Sequence, residues 1–428
     1  MERQLLTVML QLTVLIVTAR VFSALFRKAG QPGVCGEMAA GLMLGPSLFG
    51  KLFPHLFHSI FDSSVEQTIS IFSQIGLVLL LFLIGMEFEF SHLKEHGRKA
   101  VGISAAGIIV PFGCGLLLAR FIYPFVGKGI SLLGFCLFTA TAISITALPT
   151  LGRILIEFGL NRTHIGVIAI TAAALNDAAG WMILATINAI VQSHFHPMLA
   201  AKMLAETLAF GVFLFFVVRP LLKRWTRRVV QKEGARISLT TLAVVLVLIF
   251  GSAMITNLIG IFSIFGAFLM GAVLFDQEEF RRAVVASLHN FVYVLFVPIF
   301  FMYTGLRTDI GAMTSPFLWE LCALVIVVAI VAKGGGCVLA SRMGGFSWRD
   351  SVSIGVLMNT RGLMELVVLN VGYDLGVIPK SMFFILTMMA VVTTYMTAPL
   401  LRRLTTFATL QPVQQPMQPS AERATTSL

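Results

Sequence analysis

Long apolar segments separated by short polar turns run along almost the whole chain. Thirteen such segments lie near residues 5–25, 34–50, 66–88, 99–122, 129–150, 163–191, 199–220, 237–257, 260–275, 287–305, 317–341, 350–376 and 381–401. Most are long enough to cross the ~30 Å hydrocarbon core of a bilayer as one helix, although the second and ninth are short. The pattern predicts an all-α, multi-pass membrane protein with about thirteen transmembrane helices.

The composition supports a membrane location, and the charge distribution gives an orientation. The 428 residues are 57% hydrophobic and 12% charged, whereas soluble domains average about 25% charged residues. If the basic segment 219–236 is cytoplasmic, 22 lysines and arginines lie on that side and 7 on the other. The positive-inside rule then places the N-terminus outside and the C-terminus in the cytoplasm. The net charge of +11 therefore reflects orientation in a membrane, and we expect no nucleic-acid partner.

The two halves of the chain resemble each other faintly. The matched pairs are Gly36 with Gly266, Gly41 with Gly271, Gly85 with Gly305 and Thr139 with Asn359, at offsets of 220 or 230 residues. One helix at about 199–220 separates the copies, about 1–191 and 237–401, so the second copy must insert upside down. We predict a single transmembrane domain over residues 1–410 built from two inverted six-helix repeats, the plan of many secondary transporters. Chance similarity between glycine-rich apolar stretches is the alternative.

Asp177 is a carboxylate near the middle of the sixth apolar segment, directly after Asn176. An aspartate at the centre of a membrane helix costs ~2.5 to 3.5 kcal/mol on insertion scales, and such residues usually face a water-filled cavity and bind an ion or proton. A carboxylate that only joins two helices is the alternative, but one polar contact inside a bilayer is worth only ~0.6 to 2 kcal/mol. The position therefore indicates transport of an ion or proton.

Polar and helix-weakening residues lie at membrane depth at corresponding places in the two halves. They are Thr139, Thr141, Ser144 and Thr146 before Pro149 in the fifth segment, and Asn359, Thr360, Arg361 and Gly362 in the twelfth. In inverted-repeat transporters the substrate site lies where corresponding helices break, and hydroxyls and freed carbonyls there can coordinate a dehydrated cation. We therefore expect both segments to be broken beside the ion site. For the threonines alone, packing of small residues between helices is the more common role.

Three further charges lie inside apolar segments. Arg361 and Glu365, four residues apart, can pair and stay charged while buried, which indicates a structural clamp across the broken twelfth segment. Lys333 precedes three glycines in the eleventh segment, and these leave room for a neighbouring helix to approach its ammonium. It is a candidate proton carrier or tethered counter-ion, and extension of the side chain to the membrane surface is the alternative.

Six motifs together resemble the cation:proton antiporter superfamily, close to its bacterial potassium-efflux and plant cation/proton exchanger branch. They are GEMAAGLMLGPSLFG, LLFLIGMEFEF, TATAISITALP, ALNDAAGW, FFMYTGLRTDI and MNTRGLMELVVLN, in the family's order, between about residues 34 and 400. The resemblance implies a thirteen-helix, inverted-repeat fold with a dimerisation part, hence a homodimer, and a mobile core part. In that core the broken fifth and twelfth segments would cross beside the ion-binding aspartate.

The resemblance also implies a secondary active antiporter, not an enzyme, that exchanges protons for Na+ or K+ across a membrane. We expect that membrane to be the bacterial inner membrane. Carried over position by position, Asp177 is the ion- and proton-binding carboxylate, Asn176 its partner, Lys333 the membrane lysine and Arg361 the arginine of the crossing region.

The expected mechanism is a competition for one carboxylate. Deprotonated Asp177 would bind a monovalent cation with help from Thr139, Thr141 and Asn176, whereas protonated Asp177 cannot. Proton and cation would then take turns as the core alternates between the two sides. No nucleotide, redox or other cofactor is required.

The resembled motifs mix two patterns of the family. Members of this branch often carry two adjacent aspartates where this chain has Asn176-Asp177, and the asparagine removes one titratable site. The electroneutral members that carry Asn-Asp commonly have an acidic residue four positions earlier, where this chain has Ala172. With one aspartate we expect electroneutral exchange.

The C-terminal region also differs from that of the potassium-efflux members. Those members carry a large nucleotide-binding domain, whereas residues 411–428 here are a Pro/Gln-rich tail that is expected to be disordered.

Three other readings fit the sequence less well. A sodium-coupled carrier of an organic anion on the same inverted-repeat plan would use Asp177 for the coupling sodium. An intramembrane prenyl or lipid transferase would need clustered carboxylates for a magnesium-bound diphosphate, or a histidine metal site. The chain has no DxxD cluster, and its eight histidines lie near loops or helix ends. A scaffold or receptor would not need four intramembrane charges.

Overall fold

The computed structural model describes residues 2–61, 63–87, 93–127, 129–160, 163–193, 196–234, 237–274 and 277–405. Twenty α-helices account for most of them, and the described ranges contain no strand. The helices are α1 (Glu2–Lys28), α2 (Gly33–Leu44), α3 (Phe49–Leu52), α4 (Pro54–Ile60), α5 (Ser63–Glu87), α6 (Leu93–Val126), α7 (Leu132–Ser144), α8 (Leu148–Glu157), α9 (His164–Gln192), α10 (Pro197–Phe213), α11 (Arg219–Glu233), α12 (Leu239–Ile259), α13 (Ser263–Leu274), α14 (Glu278–Phe291), α15 (Val297–Arg307), α16 (Pro316–Ala329), α17 (Gly335–Met343), α18 (Trp348–Met358), α19 (Leu363–Asp374) and α20 (Lys380–Thr405). The predicted tail, 411–428, lies outside the described residues.

Each apolar segment predicted from the sequence corresponds to a helix or to a pair of consecutive helices. Ten helices of the described chain are long and apolar enough to cross a membrane, or eleven if the bent pair α18 and α19 counts as one span. The two predicted short segments are α2 and α13, with 12 residues each. At 1.5 Å per residue such a helix is about 18 Å long, shorter than the hydrocarbon core. The all-helical, multi-pass architecture is confirmed, and the count of thirteen crossings stays a prediction.

Local sequence explains where several of these helices begin and how some continue. Four helices start after a hydroxyl residue whose oxygen accepts a backbone N–H of the first turn. These caps are Ser131, Thr163, Ser238 and Ser347. The predicted linker helix at 199–220 is longer than expected, because α10 runs through a π-helical turn at Leu214–Val218 directly into the basic helix α11. Two further π-helical turns join consecutive helices: Val292–Phe296 joins α14 to α15, and Ile330–Gly334, which contains Lys333, joins α16 to α17.

The helices pack mainly in two groups. The first, called here the scaffold group, contains α1, α2, α5 and α12–α15, with α5 against α13 and α2 against α15. The second, called the crossing group, contains α6–α9 and α16–α20, with α6 against α7, α9 and α17. Helix α10 contacts both α9 and α12 and so links the two groups.

Glycines of the repeat motifs lie where scaffold helices touch backbone to backbone. A Cβ atom at Gly41 or Gly305 would collide with the main chain of the facing helix, α15 or α2. The same holds at Gly85 and Gly271 between α5 and α13. Close approach of this kind is the usual role of small residues between membrane helices. In the sequence repeat, Gly41 matches Gly271 and Gly305 matches Gly85. The α5–α13 contact is therefore equivalent to the α2–α15 contact with the two halves of the chain exchanged.

Candidate functional site

Two broken helices cross inside the crossing group. The first break is 145–147 between α7 and α8, and the second is 359–362 between α18 and α19, where the axis bends by 40°. The extended segments bond to each other: the Ala147 N–H donates to the Thr360 carbonyl at 3.2 Å, and the Thr146 hydroxyl donates to the Met358 carbonyl at 3.1 Å. Gly362 completes the second break with a φ of +146°, which residues with a side chain rarely adopt.

Asn176 and Asp177 lie on α9 beside this crossing, and both side chains are buried. The Asn176 side-chain oxygen accepts the backbone N–H of Thr146 at 3.0 Å, which fixes the first break to α9. Neither carboxylate oxygen of Asp177 has a hydrogen-bond partner in the described chain. The peptide N–H of Leu148, the first residue of α8, interacts electrostatically with the carboxylate. A helix N-terminus carries partial positive charge, so α8 presents its positive end to Asp177.

Two buried cations cap the carboxyl end of α7. The Arg361 guanidinium donates to the carbonyls of Ala142 and Ile143, each at 2.5 Å. The Lys333 ammonium donates to the Ser144 carbonyl and, at 3.2 Å, to the Gly107 carbonyl of α6. The last carbonyls of a helix have no partner within the helix and carry partial negative charge. The first break is therefore stabilised by positive charge from the second break and from the π-helical turn between α16 and α17.

Arg361 also pairs with Glu365, and both side chains are fully buried. The guanidinium nitrogen and the carboxylate oxygen are 3.5 Å apart. Glu365 lies in the first turn of α19, where a carboxylate is favoured by the helix dipole. The arginine thus connects both breaks, because it contacts the end of α7 and the start of α19.

The remaining predicted site residues differ in what their side chains contact. The Thr141 hydroxyl donates to the Leu137 carbonyl of its own helix at 2.7 Å, and the Ser144 hydroxyl donates to the Thr141 carbonyl at 2.9 Å. The Thr360 hydroxyl is 3.3 Å from the Thr397 hydroxyl of α20. The Thr139 hydroxyl and the Asn359 side-chain oxygen are buried without a hydrogen-bond partner in the described chain. Within the described chain, neither Thr139 nor Thr141 forms a hydrogen bond with Asp177.

The oxygen atoms left without donors are the ones that a cation could use. Around the crossing, in the described chain, they are both carboxylate oxygens of Asp177, the Thr139 hydroxyl and the Asn359 side-chain oxygen, since the Glu365 carboxylate, which also lacks a hydrogen-bond donor, is paired with Arg361. Carboxylate, hydroxyl and carbonyl oxygens are suitable ligands for hard cations.

Thr394 and Thr397 of α20 also lie at the site, although the sequence analysis did not predict them there. The backbone N–H of Arg361 donates to the Thr394 hydroxyl at 3.3 Å, and the Thr397 hydroxyl is 3.3 Å from that of Thr360. Their only signal was a run of threonines in an otherwise apolar last segment.

The family follows from comparison with known proteins. Residues 13–403 match the family model described as sodium/hydrogen exchanger, transmembrane. The chain belongs to this family. The membership predicted from the six motifs, in the cation:proton antiporter superfamily, is thereby confirmed.

Similar proteins include relatives from bacteria, plants and yeast. The Na(+)/H(+) antiporter NhaS4 of Synechocystis is 37% identical over 398 residues, 92% of this chain and 96% of the relative. Cation/H(+) antiporter 18 of Arabidopsis thaliana is 35% identical, and K(+)/H(+) antiporter 1 of Saccharomyces cerevisiae 30% identical. Each match covers 91% of this chain, which spans about half the length of these two relatives, 48% and 45%.

A solved structure shares the fold. The sodium proton antiporter MjNhaP1 from Methanocaldococcus jannaschii superposes with a TM-score of 0.68 at 16% sequence identity. The match covers 94% of this chain and 99% of that protein. The arrangement of helices described above is thus that of a known membrane fold.

Proposed function

We propose that this protein is a secondary active antiporter that exchanges protons for a monovalent cation, Na+ or K+, by alternating access. Asp177 binds the cation when ionised and the proton when the cation has left. The names of the similar proteins support this class of activity, since they include antiporters of Na+, of K+ and of cations generally. No cofactor takes part, and the protein carries out transport rather than an enzymatic reaction.

One observation carries the proposal: the Asp177 carboxylate is buried next to two broken helices and accepts no hydrogen bond from the described residues. A carboxylate with a purely structural role would be paired or fully hydrogen-bonded, because burying an unpaired carboxylate costs roughly several kcal/mol. Exchange of a proton for a cation satisfies the carboxylate in both states, as a neutral acid or as a cation ligand. The buried arginine and lysine are already engaged by the end of α7, so they leave Asp177 available to the transported ion.

The other predicted residues act around this carboxylate. Asn176 holds the first break against α9, and Thr139 and Thr141 line the approach to the cation on α7. Lys333, Arg361 and Glu365 neutralise the helix ends of the crossing. The polar residues Ser144, Asn359 and Thr360 provide crossing-region oxygens. These roles form the proposed assignment of the site.

The proposed assembly follows the resemblance to other antiporters. The protein would have thirteen crossings in two inverted repeats, with the N-terminus outside and the C-terminus in the cytoplasm of a bacterial inner membrane. The exchanged glycine contacts between α2 and α15 and between α5 and α13 support the repeat. A homodimer formed through the scaffold group, with membrane lipid around it, completes the proposal.

Cation uptake driven by an imposed pH gradient tests the function. Purified protein is reconstituted into vesicles that are acidic inside, and uptake of labelled sodium or rubidium, a potassium substitute, is followed. We expect uptake that stops when the gradient is collapsed and that protein-free vesicles do not show. Uptake of an organic anion coupled to sodium, without cation-driven proton movement, would contradict the proposal.

We predict that the exchange is electroneutral. One carboxylate at the site releases one proton for each monovalent cation bound, so no net charge crosses in a cycle. Lys333 would change this only if it also lost its proton during the cycle, and in the described conformation its ammonium donates to the Ser144 and Gly107 carbonyls. A second proton per cation would move one net charge, worth ~2.3 kcal/mol per 100 mV.

The measurement is sodium/proton exchange at potentials set by valinomycin and potassium. The exchange rate and the final ratio of internal to external sodium should be the same with and without a membrane potential of about 100 mV. A sodium ratio that follows the voltage would exclude the one-proton scheme, and Lys333→Ala would then be examined first.

A further inference from the structure

A buried acidic residue outside the crossing connects the scaffold group to the crossing group at one end of the molecule. Glu37 of α2 is 2% exposed. Its two carboxylate oxygens lie 3.7 Å from Arg20 of α1 and 3.5 Å from Arg153 of α8. The Arg20 guanidinium also donates to the Tyr293 carbonyl at 2.8 Å, and the Arg153 guanidinium lies over the Tyr293 ring. Both arginines are on the side predicted to be cytoplasmic.

A second ion pair connects the two groups at the opposite end. Arg307, the last residue of α15, donates to the Asp374 carboxylate at 2.7 Å and to the Asn370 side chain at 3.2 Å. Asp374 is the last residue of α19, the second half of the other broken helix. Arg307 lies on the side predicted to be outside. The second half of each broken helix, α8 or α19, is therefore joined to a scaffold helix by an ion pair, one pair at each end.

The two scaffold partners form one unit. Helices α2 and α15 meet backbone to backbone at Gly41 and Gly305, and the Ser47 hydroxyl after α2 donates to the Thr308 carbonyl after α15 at 2.7 Å. Between the two ion pairs, α2 and α15 face α19 and α20 across a cavity of about 10 Å³. Such a space holds one water molecule at most. Movement of α8 and α19 along this unit would therefore strain one ion pair or the other.

We propose that Glu37 and Arg307 are positioning residues that hold α8 and α19 against the α2–α15 unit in alternation. This inference rests on the proposed alternating access. Separation of Glu37 from Arg153 opens the route to Asp177 from the cytoplasm while Arg307 stays with Asp374. Separation of Arg307 from Asp374 opens the route from outside while Glu37 stays with Arg153. The described conformation holds both pairs.

The charges at the inner end support a role in closure. Two arginines face one carboxylate there, so the closed cluster of Arg20, Glu37 and Arg153 carries net positive charge and repels an approaching cation. When α8 withdraws Arg153, the entrance loses one of the positive charges that act on Glu37. The same step that opens the route thus also lowers the electrostatic barrier.

Reversible cross-linking tests whether α8 must leave α2. Glu37→Cys and Arg153→Cys are introduced together into a chain whose five native cysteines are replaced by alanine. The pair is then joined by a short bis-methanethiosulfonate reagent. We expect the initial exchange rate to fall at least tenfold after cross-linking and to recover after reduction. The matched control is Ser47→Cys with Ile310→Cys, which joins two positions already bonded at 2.8 Å within the α2–α15 unit. Its cross-link should change the rate less than twofold.

The outcomes separate this inference from the proposed function. Absence of exchange before any cross-linking, in the cysteine-free chain and in the wild type, means that the proposed function is wrong. Exchange that continues at the reduced-state rate when positions 37 and 153 are joined would overturn the positioning role. Equal inhibition by the control cross-link would overturn it as well.

Accessibility of the crossing provides a readout that does not depend on transport. A single cysteine at Thr146 is treated from one side with a membrane-impermeant thiol reagent. Glu37→Gln should raise its reactivity at least threefold from the inner side, and Arg307→Gln should do so from the outer side. Arg349→Gln, an exposed site at the start of α18, should leave both unchanged. An equal rise from both sides in either variant would indicate general loosening and contradict alternation.

Discussion

Replacement of Asp177 by asparagine is expected to abolish cation-driven proton movement while the protein stays folded. Asparagine has nearly the same shape but cannot titrate and carries no charge for a cation. The wild-type carboxylate accepts no hydrogen bond from the described residues, so the substitution breaks none. Removal of a buried charge should leave thermal stability equal or higher, because burying the carboxylate is itself unfavourable. Asp177→Cys should give the same loss of exchange.

The measurement is pH-gradient-driven sodium and rubidium uptake beside a thermal melt of the purified variant. Loss of uptake to the level of protein-free vesicles, with an unchanged or raised melting temperature, is the expected pair of results. Asp350→Asn is the matched control, since Asp350 is an acid in the first turn of α18 at the predicted cytoplasmic surface. It should retain wild-type exchange. Normal exchange by Asp177→Asn would show that another group carries the proton, and the proposed site would be wrong.

Much of the fold can be predicted from the sequence because a bilayer imposes one strong requirement. Backbone groups in hydrocarbon must be satisfied within the segment, so each long apolar run becomes a helix. The limits of this argument are visible at α2 and α13, whose 12 residues are too few to decide whether they cross. They are also visible at α10 and α11, where the apolar segment ends near residue 220 but the helix continues to Glu233.

The breaks could be predicted from local chemistry, whereas their partners could not. Pro149 cannot donate a backbone hydrogen bond, and Gly362 adopts a backbone conformation that other residues disfavour, so each marks a break near itself. Arg361, however, contacts Ala142 and Ile143, more than two hundred residues earlier in the chain. No periodicity connects such positions. The sequence therefore predicts an Arg361–Glu365 pair but not that the arginine also caps the other broken helix.

The burial of Glu37 could not be predicted from the motif that contains it. The glycines of the segment GEMAAG predict close helix packing, whereas an acid near the start of a short apolar segment is usually placed at the membrane surface. In the structure the glycines bring α2 against its neighbours, and this packing buries the Glu37 side chain between two arginines of other helices. Its environment depends on α1 and α8 together, which only the assembled fold supplies.

Replacement of Arg361 by alanine should destabilise the protein more than any other single change at the crossing. The substitution leaves Glu365 buried without its ion pair, and loss of one partner of a buried pair costs ~3 to 5 kcal/mol. It also removes both donors to the Ala142 and Ile143 carbonyls at the end of α7. Poor expression, or a clearly lowered melting temperature in detergent, is the expected result. Arg349→Ala, at an exposed position, should change the free energy of unfolding by no more than ~0.5 kcal/mol.

A second substitution separates the two losses. Arg361→Ala combined with Glu365→Gln removes the unpaired charge but leaves the α7 carbonyls without donors. If the ion pair accounts for most of the effect, the double variant should recover most of the lost stability. If capping of α7 dominates, the double variant should melt as low as Arg361→Ala alone. Arg361→Lys should fall between wild type and alanine, because lysine keeps the charge but cannot reach two carbonyls with a planar pair of donors. Wild-type stability of Arg361→Ala would show that neither contact holds the two breaks together, and the crossing would then depend on Asn176 and the hydrogen bonds between its extended segments.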